Sequence, residues 1–537
     1  MNTRYETGNS IDGYNNMNLI NNTLANLAVL LNITLLNCPL GFTLNNVSCD
    51  CTQLQSEYSI DSCSIINGQG MFNRSGGVWL GYSGNVSQDV VAYRYCPYGY
   101  CRTEQIAVNL YEPDIQCAFN HSGVLCGGCS PNLSLALGSH QCLSCSNDAH
   151  IALFIPFIVA GIALVLFIKI FDLTVTKGAI NGIILYANIL WTNQSIFLPY
   201  KAQSSSAIIN ILTVFIAWLN LDLGIETCFF NGLDKYWKTW LQFLFPLYIW
   251  GLAGLIIAAC SISDKATKLF GNTSVHILAT MFMLSYSKLL RTIITCLSFA
   301  VLKYPENDRI VWLSDANLEY FGLRHCFLFI AGLFALIVFW LPYTMTILLV
   351  PWLRKCGCNI SFVNKLKPFY DAHYGPLKDK HHYRIGLTLL VRVILAITEV
   401  TLQDIDPTIN ILITGVLSVL LLSLVSSAYT KMYIAFIEGL MLINLSILCG
   451  GYLYASDNQD LMTIFTGISV SIALLTFVVI LIVQGFIRLK GLCKPKAPRH
   501  YGRLDNMQEL VQPVAEGMNE TLGFYREPLL DTEPDTY

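Results

Sequence analysis

From Ile151 to about Ile487 the chain is a succession of long apolar runs separated by short polar linkers. The stretch before it interleaves cysteine with glycine, asparagine and aromatic residues and has no comparable run. A helix needs about 20 mainly apolar residues to cross a hydrocarbon layer. Ten segments meet or approach that length: 151–171, 179–199, 206–224, 239–261, 275–301, 325–350, 385–402, 408–428, 433–454 and 462–487. The pattern predicts a mainly α, polytopic transmembrane helix bundle that carries a small disulfide-rich extracellular module.

Charge in the linkers orients these runs. Between residues 353 and 384, Arg354, Lys355, Lys365, Lys367, Lys378, Lys380 and Arg384 outnumber Asp371 and Asp379, which places that loop in the cytoplasm by the positive-inside rule. Asp404, Asp406, Asp457 and Asp460 then fall outside, and Lys431 and the basic run from Arg488 to Arg503 inside. Parity requires one of the first three segments not to cross. The expected one is 179–199, interrupted by Asn181, Asn188, Asn193 and Gln194, read as re-entrant or interfacial. About nine crossings remain, with the head outside and the C-terminus in the cytoplasm.

The head agrees with that orientation. Its eleven cysteines are Cys38, Cys49, Cys51, Cys63, Cys96, Cys101, Cys117, Cys126, Cys129, Cys142 and Cys145, and its sequons are Asn21, Asn32, Asn46, Asn73, Asn85, Asn120 and Asn132. Disulfides and N-glycans both belong to oxidising, extracytoplasmic compartments. The spacing Cys126-x2-Cys129 followed by Cys142-x2-Cys145 also suits a tetrahedral zinc site. Adjacent sequons favour disulfides, so no metal is expected. Eleven is odd, and Cys228, outside in the nine-crossing arrangement, is a partner for the twelfth position or else a free thiol. The N-terminus shows no basic start followed by an apolar stretch, so the head is expected to continue a longer ectodomain; translocation of the N-terminal tail without a signal is the alternative.

Composition narrows the function class. With 54% hydrophobic and only 12% charged residues, lipid solvates most of the chain. The balance of 32 basic and 35 acidic residues leaves no basic face for nucleic acid. No phosphate loop, zinc-protease motif or nucleophile elbow is present, so neither an enzyme nor a cofactor is expected. His373, His381 and His382 near Asp371 have the chemistry of a metal or pH site, but a juxtamembrane basic loop touching anionic inner-leaflet lipid is the expected role of 353–384.

Ionisable residues inside spans are functional candidates. Lys288 and Arg291 lie three apart on one helical face. Glu438 is the first expected counter-charge, with Glu399 and Asp222 next. Arg392 and Glu399, seven apart, outline a polar seam facing the bundle interior. These six residues either line a pathway for an ion or solute or form buried pairs that hold helices in register.

The strings QCAFNHSGVLCGGC, LALGSHQCLSC, WLNLDLGIETCF, ATMFMLSYSKLLRTIIT and VNKLKPFYDAHYGPLKDKHHYRIGLTLLVR together resemble a family of multi-pass proteins of early-branching animals and some protists that joins a cysteine-rich ectodomain to a polytopic module. The resemblance implies a plasma-membrane protein and brings no site residues. The expected organisation is an N-terminal stub (1–37), a cysteine-rich module (38–147), a helical membrane domain (148–487) and a largely disordered cytoplasmic tail (488–537). The expected function is channel-like or transporter-like, with a regulatory head; the alternative is a receptor or adhesion protein whose head binds an extracellular ligand and whose basic loop engages a cytoplasmic partner. Oligomeric state is not legible.

Overall fold

The structure, a computed structural model, describes residues 38–492 apart from 40, 46–47, 52–59, 67, 75–78, 83–89, 94–95, 97–98, 103–104, 146–149, 199–206, 223–226, 271–272, 303–308, 356–365, 402–406 and 456–457. The stub, the tail beyond 492 and the sequons at Asn21, Asn32, Asn46 and Asn85 lie outside the described residues.

The main helices are α1 (His150–Phe171), α2 (Asn181–Thr192), α3 (Ala207–Leu219), α4 (Lys235–Ile262) and α5 (Thr273–Leu297). Next comes α6, which runs through Leu323–Phe334, a π-helical turn at Ala335–Trp340 and Leu341–Lys355. Then follow α7 (Lys367–Tyr374), α8 (Tyr383–Thr401), α9 (Pro407–Ser423), α10 (Met432–Tyr454) and α11 (Gln459–Leu492). Seven of these, α1, α4, α5, α6, α9, α10 and α11, are long and apolar enough to cross a membrane. The chain is thus a mainly helical membrane protein with a disulfide-rich N-terminal region. The seven are fewer than the nine crossings expected, because α8 carries Arg384, Arg392 and Glu399 and because α2 and α3 are short.

Burial ranks the helices. In α5, 72% of the apolar window is buried, against 17% in α11, so α5 is central and α11 peripheral. Leucine, isoleucine, valine and phenylalanine on α11, including Ile464, Ile468, Leu475 and Phe486, face outward, a surface that is stable only where lipid covers it.

Segment 179–199 is not among the seven helices long and apolar enough to cross, and it packs closely along α10. Gly178, in the left-handed region at φ 78°, leaves no room for a side chain, since a Cβ there would lie 2.6 Å from Pro376 Cβ and 3.1 Å from Ile434. Gly182 abuts Glu438, where a Cβ would stand 2.8 Å from its Cα. At the far end the Phe197 carbonyl accepts hydrogen bonds from Tyr452 (3.4 Å) and Thr466 (3.1 Å). The segment therefore runs beside α10 from Ile434 to Tyr452, over nearly the whole length of a helix long enough to span. Its side chains are buried all round, which explains why asparagines interrupt it: no lipid meets them.

The segment that enters the bundle only part-way is α3. Asn220, at its C-terminal end, is bonded to the middle of α2, and Leu221 turns the chain at φ 56°. The chain is next described at Thr227, which pairs with Leu137 in the head.

The expected span 275–301 ends early. Helix α5 stops at Leu297, and Phe299–Leu302, Arg309–Trp312 and Asp315–Glu319 form a three-stranded antiparallel sheet before α6. Alanine, leucine and valine on that sheet join Trp79, Tyr100 and Leu125 of the head in one hydrophobic cluster. A second head cluster gathers Phe72, Leu80 and Val108, and Gln116 imitates a strand partner there, accepting from Leu80 N and donating to Leu80 O.

Candidate functional site

Six disulfides join the twelve head and loop cysteines: Cys38–Cys49, Cys51–Cys63, Cys96–Cys101, Cys117–Cys126, Cys129–Cys142 and Cys145–Cys228. The four cysteines with zinc-like spacing part company, because Cys126 turns to Cys117 and Cys145 to Cys228. Cys228 ties the head to the loop before α4. Asn73, Asn120 and Asn132 are exposed.

The head is seated on that loop by polar contacts as well. Lys238, 7% exposed, donates to the carbonyls of Ala136 (2.9 Å) and Ser139. Leu135 N donates to Leu233 O at 2.8 Å, and Val124 N donates to Asn317 Oδ1 at 3.1 Å on the three-stranded sheet. Lys238 escaped the sequence reading: in KYWKTWLQF it looks like an interfacial anchor, and nothing local shows that the head folds back over it.

Beneath the head lies a buried charged core. Lys288 on α5 donates to Leu221 O at 2.7 Å, and its ammonium stands 3.6 Å from Asp222. Arg291 donates to Trp191 O at 3.2 Å, and buried Glu399 on α8 accepts from Ser195 at 3.4 Å. Asn188 donates to Asn220 Oδ1 at 2.7 Å, and Asn220 donates to Ala187 O (3.0 Å) and Ile216 O (2.9 Å). Together α2, α5, α8 and the end of α3 thus enclose two cations, two carboxylates and an amide pair.

The expected partnership of Glu438 with Lys288 or Arg291 does not form. Glu438 instead takes Arg384 at 2.6 Å, and the same guanidinium donates to Leu421 O at 3.2 Å and lies over Tyr429. Arg384 was read as a cation of the 353–384 loop; it is the second residue of α8 and is 1% exposed. Its neighbours in sequence, Lys378 and Lys380, are exposed as a loop cation should be, whereas Lys365 lies outside the described residues. Arg392 and Glu399 are both buried, at 2% and 4%, so α8 does present a polar seam inward.

The histidines of the basic loop do not converge. His373 is buried, sharing a hydrogen bond with the Tyr343 hydroxyl at 2.8 Å and another with Phe369 O at 2.9 Å; burial pushes its imidazole down to about 4. His382 stacks on Tyr374 and faces Asp379 at 3.5 Å. Among the described residues the one close group of potential metal ligands is Cys96, Cys101 and Cys126, and disulfides occupy all three.

No protein-family model, curated protein or solved structure matches this chain. The reading of the core therefore rests on its chemistry.

Proposed function

We propose that the chain is a multi-pass plasma-membrane protein that moves a small ion or solute along the polar core between α2, α3, α5 and α8, with its glycosylated head outside as a regulatory cap. The observation that carries this reading is the part-way helix α3. It stops inside the bundle at Asn220, and Leu221 O and Asp222 meet Lys288 there. Non-helical backbone at membrane depth is tolerated where it lines a cavity or is covered by protein, and broken helices of this kind recur at transport sites.

The topology proposed is nine passes: α1, residues 181–197, α4, α5, α6, α8, α9, α10 and α11. The count is the one expected from sequence, with the roles of 179–199 and 206–224 exchanged. The C-terminus is then cytoplasmic, and exposed Lys367, Lys378 and Lys380 lie where anionic inner-leaflet lipid attracts them.

Purified full-length protein in a planar bilayer tests the function. Current in potassium chloride, lowered about tenfold or more by Asp222→Asn, is expected, because the neutral amide leaves Lys288 as an uncompensated charge beside the path. Silence from folded protein would sink conduction. It would leave the receptor reading, which the firm seating of the head on the loop between α3 and α4 favours.

A further inference from the structure

One buried guanidinium of the bundle has no ion-pair partner among the described residues. Around the cytoplasmic half of α8, Arg384 (1% exposed) and Arg392 (2%) face a single buried carboxylate, Glu438 (3%), and Arg384 holds that carboxylate at 2.6 Å. Elsewhere Lys288 stands against Asp222, and buried Lys238 is satisfied by the carbonyls of Ala136 and Ser139. That leaves Arg392 with neither a carboxylate nor a carbonyl of its own among the described residues.

Its surroundings are unusual for a guanidinium. Nη1 reaches only the thioether sulfur of Met283, at 3.3 Å, and Nε has no hydrogen-bond partner. The Tyr286 ring covers one side at 5.9 Å. The nearby hydroxyls are engaged elsewhere, Tyr286 with Thr344 (3.1 Å) and Tyr343 with His373 (2.8 Å). Ser287, 4% exposed and one turn along α5 from Met283, has a hydroxyl with no partner. Two donors without acceptors thus stand on the facing sides of α5 and α8, one of them on a buried guanidinium with no ion pair.

A lone buried charge is strongly destabilising unless it is paired, and a guanidinium cannot escape by losing its proton. We propose that Arg392 and Ser287 hold a small monovalent anion, of the size and charge of chloride, as a resident ion of the bundle. The ion accepts from Arg392 Nε and from the Ser287 hydroxyl and neutralises the guanidinium. A carboxylate-bearing solute is less well suited, because the Tyr286 ring and the thioether of Met283 crowd the guanidinium. This site does not depend on the transport reading: a bound ion without flux leaves the site standing and removes transport.

Thermal unfolding of the full-length protein in detergent tests it, with sodium chloride, sodium bromide and sodium gluconate compared at equal ionic strength. A midpoint that rises by several degrees, saturably, with chloride or bromide but not gluconate is expected. In Arg392→Met the halide dependence should vanish while the midpoint in gluconate equals or exceeds that of the parent, since the apolar isostere removes the charge that needs an ion. Identical midpoints in chloride and gluconate for the parent would overturn the site, as would a halide dependence that survives in Arg392→Met. Should that variant fail to fold, equilibrium binding of radiolabelled chloride to the parent decides: saturation at one ion per chain supports the site, and no saturable binding refutes it.

Discussion

Glu438 had several basic residues to choose from and takes Arg384, 54 positions away. The reason is geometric: α2 packs so closely on α10 at Gly182 that the near side of Glu438 is filled by backbone, and the start of α8 is what faces its carboxylate. Removing one partner of such a pair leaves the other charged and buried, which is destabilising by about 3–5 kcal/mol, whereas replacing both with apolar groups of like volume is near neutral. Glu438→Gln and Arg384→Met are each expected to lower the unfolding midpoint, and the double variant to recover most of the loss. Additive losses in a double-mutant cycle would dismiss the pairing.

At the scale of elements, the topology turns on two neighbouring segments. Segment 179–199 was expected to be the one that does not cross, because asparagine and glutamine dilute its apolar pattern. Those residues are buried against other helices, so lipid does not meet them. The run 206–224 reads as apolar and continuous, yet Asn220 and Leu221 end it inside the bundle. The two arrangements place the linker between them on opposite sides. A cysteine introduced at Ser204 should react with a membrane-impermeant maleimide on intact cells if 181–197 crosses, and stay unlabelled if it is re-entrant. Protection of Ser204→Cys in intact cells, with labelling after permeabilisation, would restore the original assignment.

Across the whole molecule, the head and bundle act as one packed unit through the Cys145–Cys228 disulfide, Lys238 and the shared hydrophobic cluster. His121 and His140 lie within this junction. Tyr100 stacks on His121 at 4.4 Å, and the two ring nitrogens of His121 face His140 O and Gly128 O, only one of which a neutral imidazole can serve as donor. Burial drives both imidazoles below 6.5, and Lys238 and Lys235, with Arg291 beyond, oppose a further positive charge at His140. A folded pKa below the unfolded one means that the open state takes up a proton first, so stability is present above about 6.5 and is lost as pH falls below it. Asp315 has the opposite sign: burial raises its carboxyl to about 6, so folding gains as pH falls from there toward 3.8. Hydrogen exchange in residues 119–145 is expected to accelerate, after correction for intrinsic rates, as pH drops from about 7.5 to about 6, and His140→Gln to blunt that change. An unchanged profile in the variant would rule out His140 as its source.

Much of this was legible without coordinates. Long apolar runs demand a bilayer whatever their tertiary arrangement, and cysteines interleaved with sequons demand an oxidising face, so class, head and membrane domain follow from composition and order alone. Lys288, Arg291, Arg392, Glu399, Glu438 and Asp222 stood out because charge inside an apolar run is rare. Partner choice did not follow, since ion pairing depends on which helix faces which, and Arg384 looked like any loop cation until α8 was seen to begin one residue before it. The disulfide pattern likewise needed distances, because twelve cysteines admit many pairings. The surroundings of 179–199 and 206–224 were decided by packing: a helix wrapped in protein keeps its asparagines away from lipid, and an apolar one ends inside the bundle where a buried amide and lysine meet its last turn.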